Sequence, residues 1–187
     1  MSISIIGRLR VISTPKLWPF VVGGLLAFAV GAWEFEPLVQ QVQQRYGAVA
    51  ARLVRDWESV LVESRNLSEE DKLKRVNEFF NRRVRYDDDI RIWSVADYWA
   101  TPLEFMGKGV GDCEDFSLAK YFSLREIGVA PEKMRMTYVR ARIGGPNSTL
   151  TQAHMVLAYY PQPDAEPLIL DNLISEIRPA SRRTDLT

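Results

Sequence analysis

Residues 113–143 read CEDFSLAKYFSLREIGVAPEKMRMTYVRARI, and the pattern changes partway along. In the first half, Phe116, Ala119, Phe122 (with Tyr121 beside it) and Ile127 recur at helical spacing. Gly128 is a natural C-terminal stop, so a helix is predicted from about Cys113 to Ile127. From Met134 to Ile143 apolar and polar residues alternate, which predicts a strand. The chain therefore passes from helix to sheet here, and the flanking sequence follows suit.

Downstream, GGPNST reads as a turn, AHMVLAYYP (153–161) as a second strand and PLILDN (167–172) as a third. Upstream, Leu38, Val42, Tyr46, Val49, Leu53, Trp57, Val60 and Leu61 form one amphipathic stripe, which predicts a helix to about Ser64. NLS breaks it. Ser68 with Asp71 resembles a capping box and starts a helix whose stripe is Leu73, Val76, Phe79, Phe80 and Val84. YDDDI ends that helix, and Asp87, Asp88 and Asp89 read as a solvated loop. Residues 90–112 show no clean period and many turn signals, which predicts a long loop pinned by Trp93 and Trp99. Helices first and a sheet afterwards, expected to be antiparallel, is an α+β arrangement.

The chain has 187 residues, enough for one domain with a real core. Its 24 basic and 24 acidic residues balance, which removes the electrostatic argument for nucleic acid as the main partner. Arg82-Arg83 and Arg182-Arg183 read as solvated surface. The single Cys excludes an internal disulfide, and the single His excludes the usual Cys/His zinc patterns. Any metal site would be mostly oxygen-ligated, which favours Ca²⁺ or Mg²⁺.

At the N-terminus, Arg8, Arg10 and Lys16 precede the uncharged run LWPFVVGGLLAFAVGAW (17–33). That is the pattern of a secretory signal peptide or of an uncleaved membrane anchor, and residues 1–33 fit either. Both place residues 34–187 outside the cytoplasm, which in a bacterium is the periplasm.

Three residues could do chemistry together. Cys113 opens the helix, His154 lies in the second predicted strand and Asp171 ends the third. A thiol needs a base to take its proton, and the base needs a carboxylate to fix its tautomer. A helix N-terminus also favours a thiolate and offers N–H groups to an oxyanion. Taken singly, each residue has a plainer reading: a small core thiol, a structural imidazole, a strand-end turn former. Asp112, Glu114 and Asp115 crowd Cys113 with negative charge, which either caps the helix or binds a cation that reverses the local sign.

Three segments, GDCEDFSLAKYFSLREIGV (111–129), HMVLAYY (154–160) and LILDNL (168–173), together with the run from Tyr98 to Gly128, resemble the transglutaminase-like cysteine peptidases of the bacterial LapG type, within the papain-like fold group. The resemblance implies N-terminal helices packed on an antiparallel sheet, a Cys113–His154–Asp171 triad, and Ca²⁺ held by Asp112, Glu114 and Asp115. It further implies a periplasmic endoprotease that cuts a large surface adhesin at a di-alanine site in its N-terminal region, promoting biofilm dispersal. An inner-membrane cyclic di-GMP receptor of the LapD type would sequester the enzyme. A transglutaminase-type acyl transferase and an inactive membrane-tethered binding module remain open alternatives.

Overall fold

The computed structural model describes residues 34–145 and 147–187, so residues 1–33, read above as a signal or anchor, lie outside the described residues. Helices come first: α1 (Phe35–Tyr46), α2 (Ala48–Ser64), α3 (Glu69–Arg83), the short α4 (Asp89–Ile92), α5 (Pro102–Lys108) and α6 (Cys113–Glu126). Two-residue strands β1 (Arg85–Tyr86) and β2 (Val110–Gly111) pair in parallel beside them. An antiparallel sheet follows in the order β3 (Met134–Arg142), β4 (Thr151–Tyr159), β5 (Leu168–Leu170), β6 (Arg178–Pro179). The fold is α+β. Among the described residues, no helix is long and apolar enough to cross a membrane.

The first predicted helix is two helices. Gly47 has φ 91°, a backbone that side chains rarely adopt, and the chain turns there between α1 and α2. The apolar stripe resets across the break. Val49, placed on the stripe by an unbroken count, is 86% exposed, while Ala50, Ala51, Leu53, Val54, Trp57 and Leu61 face the core.

The predicted α3 face holds: Leu73, Val76, Phe79, Phe80 and Val84 are all buried, and the Ser68 side chain accepts the Asp71 N–H at the N-cap. The predicted loop at 90–112 instead contains α5, started by a complete Thr101–Glu104 capping box with Pro102 in its first turn. The TPLE signature was legible in the sequence. The surrounding turn residues masked it.

Helix α6 packs against β4 and is buried nearly all round. Its polar residues therefore need internal partners. Trp57 Nε1 donates to Ser123 Oγ at 2.8 Å, Ser123 Oγ donates to the Ala119 carbonyl at 2.7 Å, and Ser117 Oγ donates to the Met155 carbonyl at 3.3 Å. The Ser117 bond sets the position of α6 along β4, and the Trp57 bond ties α6 to α2.

Alternation along β4 divides its side chains between two layers. Leu157 and Tyr159 join the main core with the helices, while Val156 and Ala158 form a second cluster with Ile169. Ala180 and Leu186 pack on that second cluster. Beyond β6, hydrogen bonds tie the last residues to β3 on the opposite edge: Arg142 N–H to Asp185 O at 2.8 Å, and Arg140 N–H to Thr187 O at 2.7 Å. Residues 180–187 thus strap across the sheet from one edge to the other.

Candidate active site and metal centre

The β1–β2 pairing and α5 aim the chain into α6. Gly111 sits where a side chain could not: a Cβ there would lie 2.4 Å from a Phe105 ring carbon and 2.6 Å from Asp115 Oδ2. Asp112 then caps α6, its Oδ1 accepting the N–H groups of Glu114 and Asp115 at 3.2 and 3.4 Å. The cap occupies two of the first-turn donors. The backbone N–H of Cys113 itself has no bond among the described residues and is the one left for an oxyanion.

Cys113 is buried, and the Met155 N–H of β4 faces its sulfur. The thiol donates to Glu114 Oε2 at 2.8 Å. Burial pushes the thiol's pKa well up, and the Glu114 carboxylate pushes it further, against the Met155 N–H.

His154 and Asp171 meet across β4 and β5. Leu157 pairs with Leu170, so extending the register by one residue sets Asp171 opposite Val156, with His154 diagonal to it on the same face. His154 Nε2 is 2.8 Å from Asp171 Oδ1, and both side chains are buried. That leaves Nδ1 as the ring nitrogen open to a thiol. Asp171 Oδ1 also accepts the Leu173 N–H at 2.9 Å, and Oδ2 accepts from Arg183 at 2.6 Å. Burial alone would raise the Asp171 carboxyl. The His154 bond and charge, the Leu173 N–H and Arg183 outweigh it and hold the pKa down at about 2.

Arg183 was read as solvated surface. It is 2% exposed, with a second partner in Asp185. Lys120, two turns below Cys113 on α6, is also buried; its ammonium lies 5.6 Å from the Phe116 ring centroid. Burial drops its pKa to about 7, opposed by the Asp171 charge.

The acidic residues around Cys113 divide. Asp112 and Asp115 gather with Asp89, each offering a carboxylate oxygen, and the three oxygens lie within 4.8 Å of one another. Glu114 lies outside that cluster, engaged with the thiol. Asp89 corrects the reading of YDDDI as solvated: it is 3% exposed and opens α4. Tyr98 N–H donates to its Oδ2, and Ala100 N–H donates to Asp115 Oδ1 at 2.8 Å. The other oxygens, Asp89 Oδ1 and Asp115 Oδ2, are buried with no hydrogen-bond partner among the described residues.

Two buried, unpartnered carboxylate oxygens are costly unless something answers them. No two of the three oxygens are farther apart than 4.8 Å, within the reach of two Ca–O bonds of about 2.3–2.6 Å, and an all-oxygen donor set suits a hard cation. The residues present therefore fit Ca²⁺. Without a cation, burial first and then the neighbouring carboxylates raise the pKa of Asp112 to about 8. Burial, with Asp89 and Glu114, lifts Asp115 to about 7 against the Ala100 N–H.

A thiol opening a helix that packs on β4, with a buried imidazole–carboxylate pair spanning β4 and β5, supplies the residue set of a thiol-peptidase type of site. The model for the bacterial transglutaminase-like cysteine proteinases matches residues 54–185, and the chain belongs to that family: it is a transglutaminase-like cysteine peptidase. Among solved structures it is similar to Legionella pneumophila LapG, at 38% identity and TM-score 0.70 over 82% of this chain and 80% of that one. The EGTA-treated form of that protein matches at 38% and TM-score 0.70 over 82% and 78% of the two chains. The calcium-bound form matches at 40% and 0.68 over 80% and 78%. A comparison with the curated proteins finds no match.

Proposed function

We propose that this chain is a calcium-dependent cysteine endoprotease using Cys113, His154 and Asp171, and that it cleaves the N-terminal region of a large surface adhesin at a di-alanine site. The observation carrying the chemistry is the His154–Asp171 bond, which leaves Nδ1 for the thiol that opens α6. The likeness to LapG in calcium-bound and EGTA-treated forms supports the metal. The adhesin, and a role in biofilm dispersal, rest on the resemblance of the motifs.

In the reaction, His154 Nδ1 takes the Cys113 proton while Asp171 holds Nε2–H. The thiolate attacks the peptide carbonyl, and the Cys113 N–H donates to the developing oxyanion. His154 returns the proton to the leaving amine, and water attacking the acyl-enzyme releases the second fragment. Glu114 must leave the thiol for this to start, because a carboxylate bonded to it holds the proton in place. Bound Ca²⁺ on Asp89, Asp112 and Asp115 would supply positive charge beside the nucleophile and tie the 98–100 backbone to the start of α6.

The N-terminal run 17–33 supports export to the periplasm, free or anchored at the inner membrane. Sequestration there by a cyclic di-GMP receptor of the LapD type completes the reading. The test is incubation with an adhesin N-terminal fragment, with calcium or a chelator, comparing wild type with Cys113→Ala. Cleavage only by wild type with calcium is expected. Stable amide formation with an added amine would indicate acyl transfer instead. Equal cleavage by Cys113→Ala would overturn the assignment.

A further inference from the structure

We propose that Arg183 is a positioning residue for catalysis: the C-terminal strap carries its guanidinium to Asp171, so that Asp171 offers a fixed oxygen to His154. This rests on the triad reading above.

A carboxylate held on one oxygen can still swing about its own bonds. Asp171 is held on both. Oδ1 takes His154 Nε2 and the Leu173 N–H, and Oδ2 takes Arg183 at 2.6 Å. The imidazole is therefore aimed by a carboxylate whose own plane is set from the far side.

Stability alone explains Arg183 poorly. Burying a guanidinium is costly, and apolar replacements of buried ion pairs are often neutral or stabilising. Here one guanidinium nitrogen, Nη1, is buried with no partner among the described residues. An apolar side chain at 183 would not carry that cost. What a cation adds is a second hold on Asp171 and a charge that keeps it ionised.

The delivery is built in. Ile169 of β5 pairs with Arg178 of β6, Ala180 and Leu186 grip the second cluster, and the bonds of Asp185 and Thr187 to β3 fix the strap's far end. Arg183 lies between these anchors. Its bidentate grip on Asp185, from Nε at 3.0 Å and a terminal nitrogen at 2.8 Å, sets the fork's direction.

The test compares Arg183→Met and Arg183→Lys in the full chain with calcium. The readouts are kcat and KM on the adhesin fragment, thermal unfolding, and the Nε2–H NMR resonance of His154, which is unambiguous because the chain has one histidine. Arg183→Met is expected to lower kcat roughly 10²-fold, as a misaimed catalytic group does. KM should stay within about threefold, and the resonance should shift or exchange away. Arg183→Lys should recover part of kcat, keeping the charge but losing the fork. Wild-type kcat and an unmoved resonance in Arg183→Met would overturn the proposal. So would a kcat loss with an unmoved resonance that Lys rescues no better than Met. If Arg183→Met does not fold, Arg183→Lys decides: lowered kcat with a moved resonance supports positioning, and wild-type values of both overturn it. If wild type fails to cut the fragment, the substrate reading fails alone, and the resonance still reports on Arg183.

Discussion

His154 Nε2 sits 2.8 Å from Asp171 Oδ1, although the two lie seventeen positions apart in sequence. Both groups are buried, and the carboxylate is shared with the equally buried Arg183. Removing it should therefore harm both catalysis and folding. Asp171→Ala is expected to lower kcat by about 10³–10⁴-fold, since nothing then holds the tautomer. It should also destabilise the protein by roughly the lower end of the ~3–5 kcal/mol for a broken buried pair, because Asp185 still holds Arg183. Steady-state kinetics and urea unfolding check the two effects separately.

Asp89 shares its cluster with Asp112 and Asp115. Asp89→Asn keeps the shape and removes one charge from a three-carboxylate site. Calcium affinity, measured by isothermal titration calorimetry, should fall by about tenfold or more, as ligand charge sets affinity in such sites. Asp87→Asn is the control: that carboxylate is paired with Arg91 and stands outside the cluster, so its affinity should match wild type.

Asp112 and Asp115 have folded-state pKa values raised from 3.8 to about 8 and about 7. A raised carboxyl binds its proton more tightly folded than unfolded. Its contribution is fully present below the unfolded value and is lost as pH rises through the folded one. The calcium-free protein should therefore lose thermal stability between about pH 4 and pH 8. Calcium, which takes the place of the protons, should remove the loss at the alkaline end. Melting curves across that range with and without a chelator test this; a flat calcium-free profile would contradict it.

At Gly111 a methyl group would meet both the Phe105 ring and Asp115 Oδ2. The ring belongs to the buried core, so it cannot swing clear. Gly111→Ala should cost about 1–3 kcal/mol through overpacking and weaken calcium binding by displacing Asp115. Unfolding and calorimetric titration of the same variant read both. Loss of stability with unchanged calcium affinity would show that only the core gives way.

Much of this was legible in the residues. The α3 stripe, the start of α6 at Cys113, the stop at Gly128 and the existence of strands β3, β4 and β5 all follow from local sequence, and the structure keeps them. The α1–α2 break was not legible as a break. Gly47 interrupts a stripe whose spacing still looks continuous, and only φ 91° shows that the count restarts. Asp89 was hidden for a different reason. Three adjacent Asp look solvated, and nothing local says that the 98–100 backbone will cover the third.

The sequence by itself determined the residue types that could react: one thiol, one imidazole and an acidic run at a helix start, in an α+β chain. Those depend on composition and short-range spacing, which the chain carries in every conformation. Only the tertiary structure decided which carboxylates stand together and which cation serves Asp171. Strand register and the path of the strap bring Asp89 to Asp112 and Asp115, and Arg183 to Asp171. Such long-range meetings are set by how whole elements pack, and no spacing along the chain encodes them.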